Sequence, residues 1–187
     1  MKNKAHLPTN YELTNSYDLK QTKLNLIIQI TFIIIAGIFV LIAFLSNLEF
    51  SSENNGTVAL ITILSVNIYM ILHELTHGIS ISMLSKTKSR YKFRFPFLTT
   101  GTDAYLNKLS FITVCLAPSM LWGLILGILM FFIPQNYLLS LYIVLALNFA
   151  GSAGDYLQVV LVLKTPKDSL VKDDGTKTNI YGMKKTE

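Results

Sequence analysis

The 187-residue chain is 51% hydrophobic and 14% charged, where a soluble domain carries roughly a quarter charged residues. Its charges lie in a few blocks between long apolar runs, which excludes an ordinary soluble core and marks one domain of membrane type. The net charge of +5 comes from basic residues tied to the ends of those runs, a pattern that fits contact with anionic lipid and excludes nucleic acid as a partner.

Residues 1–23 are polar and are expected to form a cytoplasmic N-terminal segment, with His6 solvated. The apolar run from Leu24 to Leu48 exceeds the roughly 7–15 residues of a signal-peptide core and has no small-x-small cleavage site, so it is expected to stay as a span. Three more runs reach the roughly 20 residues a spanning helix needs: Thr57 to Leu84, Leu109 to Ile133, and Tyr137 to Leu163. Lys and Arg collect on cytoplasmic loops. Lys2, Lys4, Lys20 and Lys23 precede the first span, and Lys86, Lys88, Arg90, Lys92, Arg94 and Lys108 lie around the second connection; the remaining lysines follow Leu163. The first connection holds only Glu49 and Glu53 among its charges, and the third, 134–136, holds none. The expectation is an all-α membrane protein with four transmembrane helices and both termini cytoplasmic. Residues 24–163 form its domain, 164–187 a flexible cytoplasmic tail, and a bacterial cytoplasmic membrane is the expected setting.

In the second connection, Tyr91, Phe93, Phe95 and Phe97 alternate with Arg90, Lys92 and Arg94. Period two predicts a strand with one aromatic and one basic face. Thr100-Gly101-Thr102-Asp103 reads as a turn and Ala104–Leu106 as its return strand. Such a hairpin-like loop is suited either to anchoring at the lipid interface or to pairing with an extended peptide.

The second span contains His73-Glu74-Leu75-Thr76-His77. Residues four apart share a helix face, so the two imidazoles can bind one zinc while Glu74 serves as general base. A catalytic zinc takes three protein ligands and keeps one position open. Among the remaining acids only Asp155 lies within a span. His77 and Asp155 each fall about 10–12 Å from the cytoplasmic end of their spans at 1.5 Å per residue, so two parallel helices can present His73, His77 and Asp155 at one level. Gly78, Gly151, Ser152, Ala153 and Gly154 are small enough to let helices approach there, and Gly123 with Gly127 read as packing only. Asn148, seven residues before Asp155, shares its face and is a candidate donor to a substrate carbonyl. Asn67 reads as packing, the lone Cys115 as a small buried hydrophobe, and Pro118 as a kink in the third span whose exposed carbonyl is assigned no role.

The motifs HELTHG and N-x-x-G-S-x-G-D, with the spans between them from about Thr57 to Leu163, resemble the family of small membrane zincin peptidases, which is similar to the site-2 type of intramembrane zinc metalloprotease. In site-2 proteases the late motif typically carries a proline and ends Asp-Gly; here Gly151 and Tyr156 stand in those places. The resemblance implies a Zn2+ cofactor, hydrolysis of peptide bonds, and a membrane protein or peptide as substrate. The competing readings are a zinc-binding membrane scaffold without turnover and a small transporter whose buried His and Asp mark a pathway.

Overall fold

The computed structural model describes residues 3–48, 50, 55–94 and 97–184. Among the described residues four helical stretches are long and apolar enough to cross a membrane: Thr22–Leu45, Gly56–Ser85, Lys108–Leu129 and Gln135–Leu163. They are helix α1 (Thr22–Leu45), α2 (Asn55–Ser85), α3 (Lys108–Leu129), and a last span divided into α4 (Gln135–Gly151) and α5 (Ala153–Leu163). The division at Ser152 falls just before Asp155. Ser152 Oγ donates to Asn148 O at 2.8 Å and Tyr156 N donates to Ser152 O at 3.0 Å, so side-chain and backbone donors carry the chain across the break.

α4 touches every other helix; α3 packs on α2, α4 and α5, and α1 lies against α4 and α5. Asn107 caps α3 by accepting from Ser110 N at 3.0 Å. At Gly123 a side chain is excluded: a Cβ there would stand 2.6 Å from the Phe149 ring and 3.1 Å from Asn148 Nδ2. This glycine sets how closely α4 approaches α3. Its partner Gly127 meets nothing within 4 Å, so the small-residue pair acts at one member only.

The polar segments are more ordered than composition suggests. β1 (Tyr11–Asp18) precedes α1, β4 (Leu106–Asn107) precedes α3, and β5 (Leu170–Asp173) and β6 (Lys177–Met183) follow α5. These four form an antiparallel sheet in the order β1-β6-β5-β4. The tail read as flexible is thus largely strand. It has few large apolar residues, but they fall where they count: Leu170, Val171 and Ile180 are fully buried, and Val171 and Ile180 pack with Leu106, Phe111, Val114 and Val162. A short strand needs only alternate apolar residues over a ready surface.

The second connection also departs from expectation. β2 (Arg90–Arg94) pairs with β3 (Phe97–Gly101), from Arg90 opposite Gly101 to Arg94 opposite Phe97. The reversal therefore precedes Phe97, and Thr100 and Gly101 lie in the return strand rather than in a turn. Phe95 and Pro96 lie outside the described residues. Leu106 pairs with Val171 of β5 instead of closing the hairpin.

Candidate metal centre

α2 brings His73 and His77 to one face, one turn apart, with Nε2 atoms 3.2 Å from each other. α5 places Asp155 opposite them: one carboxylate oxygen lies 3.4 Å from His73 Nε2, the other 3.4 Å from His77 Nε2. Among the described residues these three form a group able to hold a metal ion, their ligand atoms all within 4.8 Å of one another. Zinc binds nitrogen and oxygen ligands at about 2.0–2.1 Å in a tetrahedron, whose ligand atoms are then roughly 3.3–3.4 Å apart by the same bond length. The two Nε2 atoms, and each Nε2 with its nearer carboxylate oxygen, stand close to that spacing, and two imidazoles with one carboxylate match a catalytic set with an open position.

Both histidines are held from behind. His77 Nδ1 is 3.0 Å from the Val114 carbonyl of α3. Pro118 lies inside α3, and proline has no N–H, so the carbonyl four residues before it receives no helical donor from that position. His73 Nδ1 is 2.9 Å from the Tyr69 hydroxyl, which donates to Asn148 Oδ1 at 2.8 Å. Asn148 Nδ2 donates in turn to the Ser119 carbonyl at 2.9 Å. Asn148 is fully buried, and both ends of its amide engage the protein, a different situation from the substrate contact expected of it.

A cavity of about 290 Å³ reaches the three ligands and Glu74. It is walled by Thr99, Thr100 and Thr102 beside β3 and by Asp173, Gly175 and Thr176 of the β5–β6 turn. The two walls are joined. Thr102 N donates to Asp173 O at 2.8 Å, Lys92 Nζ to Asp174 O at 3.3 Å, and a Cβ on Gly101 would stand 2.5 Å from the Asp174 carbonyl carbon. Gly175 has φ +79°, the left-handed region that glycine enters without strain. On the other side, Thr100 Oγ1 donates to the Glu74 carbonyl at 3.0 Å, which ties β3 to the helix turn that carries the acid.

The small residues are used differently from the sequence-based expectation. Gly78 receives the Tyr91 hydroxyl of β2, which a Cβ there would overlap, so it seats the hairpin and not a helix. Gly151 and Gly154 line the metal cavity and would carry a Cβ without meeting any atom within 4 Å; they leave space beside the ligands. Asn67 Nδ2 donates to Ile63 O within its own helix. Cys115 is buried, 3.6 Å from Gln158 Oε1.

Comparison with protein families places this geometry. The family model described as putative zincin peptidase matches residues 66–170, more than half of the chain, and spans all three candidate ligands. The chain belongs to that family. No curated protein and no solved structure matches it. Zincin membership implies a zinc cofactor, and His73, His77 and Asp155 are the residues fitted to hold it.

Sequence reasoning named His73, His77, Asp155 and Glu74, which the structure brings to one cavity, but did not name Tyr69 or the β5–β6 wall. Tyr69 had a signal, since it lies four residues before His73 on the same face. The wall had only the Asp-Asp-Gly turn, which says nothing of where the turn docks.

Proposed function

We propose that this zincin-family protein is an intramembrane zinc metallopeptidase of the site-2 protease type, cleaving membrane-embedded or membrane-associated peptides and proteins. The observation that carries the reading is the meeting of His73, His77 and Asp155 from two membrane-spanning helices, with Glu74 on the wall of the same cavity.

When bound, zinc activates water and polarises a peptide carbonyl. His73, His77 and Asp155 hold the ion in this scheme. Glu74 takes the proton from water and returns it to the leaving amine, the general base and then general acid of the reaction. Gly151 and Gly154 leave room for substrate beside the ligands. A substrate helix hides its carbonyls in hydrogen bonds, so the segment to be cleaved must first unwind. The threonine-lined side of β3 suits an extended segment with free backbone groups.

The distribution of Lys and Arg supports an orientation with both termini and the second connection in the cytoplasm. The sheet supports it independently: β1, β4, β5 and β6 come from the N-terminal segment, the second connection and the C-terminal segment, which must share one side of the membrane to pair. Lys20 and Thr176 at the cavity wall then support a water entrance from that side.

Glu74→Gln is the test. It should leave zinc content at the wild-type level while cleavage of membrane substrates, scored by comparing membrane proteomes, falls by a factor of at least about 100, in line with loss of a general base. Equal processing by wild type and variant would sink the peptidase reading and leave a zinc-binding scaffold.

A further inference from the structure

α3 supplies no ligand, yet both histidines lead back to it. We propose that the backbone of α3 on either side of Pro118 sets the tautomer of both zinc-binding imidazoles, directly at His77 and through a relay of Asn148 and Tyr69 at His73. The inference rests on the zinc reading of the site and not on any peptidase activity.

Directionality carries the argument. A backbone carbonyl can only accept. The Ser119 carbonyl, 2.9 Å from the Asn148 amide, therefore requires the NH2 end of that amide to face it. This fixes the flip and turns Oδ1 towards Tyr69. Oδ1 also only accepts, so the Tyr69 hydroxyl, 2.8 Å away, gives its single proton there. The phenol oxygen is left to accept from its other neighbour, His73 Nδ1 at 2.9 Å. Nδ1 must then carry the proton, and Nε2 keeps its lone pair, facing His77 and Asp155. At His77 the same result takes one step: the Val114 carbonyl, 3.0 Å from Nδ1, accepts a proton and presents Nε2 to the site.

The two routes end on carbonyls five residues apart, flanking a proline inside the helix. At Val114 the proline withholds the helical donor, which leaves that carbonyl free for the imidazole. At Gly123 the absent side chain lets α4 bring Asn148 to the Ser119 carbonyl. The relay is closed to water, since Asn148 is fully buried and Tyr69 is buried. In that setting a misdirected donor has no solvent to turn to. Tyr69 and Asn148 are positioning residues: they act on the metal only by holding the His73 ring and its proton.

The experiment uses the full chain in detergent micelles, with zinc affinity measured by chelator competition and the histidine ring N–H groups observed by 15N NMR in the zinc-loaded protein. Tyr69→Phe keeps the ring and its packing but breaks the relay. Asn148→Asp keeps the shape but sets an acceptor against the Ser119 carbonyl. Each should weaken zinc by roughly 10–100-fold, the usual effect of losing an outer-shell partner. In Tyr69→Phe the Nδ1–H signal of His73 should broaden as the unheld ring exchanges between orientations, while that of His77 stays sharp. A merely structural role would not produce that selectivity. Asn67→Ala, also on α2 but bonded within its own helix, should leave zinc affinity and both signals unchanged. Wild-type affinity with a sharp His73 signal in Tyr69→Phe overturns the relay; a wild-type protein that takes up no zinc overturns the metal reading instead.

Discussion

The first and last spans make an instructive pair. The first has a mean hydropathy of 2.9 and none of its most apolar window buried; the last has a mean hydropathy of 1.5 with 56% of that window buried. In water the more apolar helix would occupy the core. In a bilayer lipid is as good a solvent for leucine as another helix, so hydropathy reports what faces lipid, and polarity reports what faces protein. α1 accordingly buries none of its residues, although it lies against α4 and α5, with Phe39 stacked on Phe149 at 5.7 Å and the Tyr142 hydroxyl donating to the Phe39 carbonyl at 2.5 Å. α4 and α5 carry Asn148, Ser152 and Asp155 into the centre. The least hydrophobic span thereby brings the third candidate ligand to the histidines of α2.

The comparison is tested most severely at Asp155. Asp155→Asn should reduce zinc affinity by more than about 100-fold, beyond what an outer-shell partner contributes, read by chelator competition; a variant that keeps its zinc would remove the last span from the site. A smaller effect is expected from packing. Val162 at the end of α5 is fully buried, whereas Val40 on α1 is 70% exposed. Val162→Ala should lower stability by about 1–3 kcal/mol through the cavity it leaves, and Val40→Ala should change it by less than about 0.5 kcal/mol, both measured by unfolding in detergent. Equal costs would mean that the first span is packed after all. The glycines of α3 give a contrast of sign. Gly123→Ala forces a methyl against Phe149 and should destabilise, while Gly127→Ala, in open space, should stabilise by up to about 1 kcal/mol through helix propensity alone.

The metal site was legible because its residues are costly in a membrane. Two histidines and a glutamate in one turn, and a single further acid at equal depth, have few other uses there. The four spans were legible for a related reason, as apolar runs of the right length. The sheet was not, since Leu170, Val171 and Ile180 are ordinary residues in a polar stretch, and only the surface they cover makes them a core. The relay behind His73 was half legible. Asn148 was visible as a polar residue facing the site, but a sequence does not say whether an amide points at a substrate or at a carbonyl of its own chain. That depended on Gly123, which the GxxxG pattern flagged without showing that only one of its two glycines is in contact.

The smallest effect is expected where the last span passes into the terminal sheet, and there the direction of a pH dependence can be derived. Asp173 accepts from Gln158 Nε2 at 2.7 Å, Thr178 Oγ1 at 2.8 Å and Gly175 N at 2.7 Å. Gln158 lies on α5 three residues after Asp155, so this carboxylate fastens the cavity wall to the helix that carries the third ligand. Burial raises its pKa to about 6 despite those donors, with the charges of Asp174 and Asp155 adding to the rise. An unfolded aspartate titrates near about 3.9. Between those values the folded protein holds the proton more tightly, so this contribution to stability is complete below about pH 4 and is lost as pH rises through about 6. Asp173→Asn should flatten that part of the stability profile. An amide cannot serve all three donors, so the variant should be less stable at acid pH and fall less on going to pH 7. Profiles of wild type and variant that run parallel from pH 4 to pH 7 would show that Asp173 titrates as an exposed acid, and that the fastening between α5 and the terminal sheet is open to water.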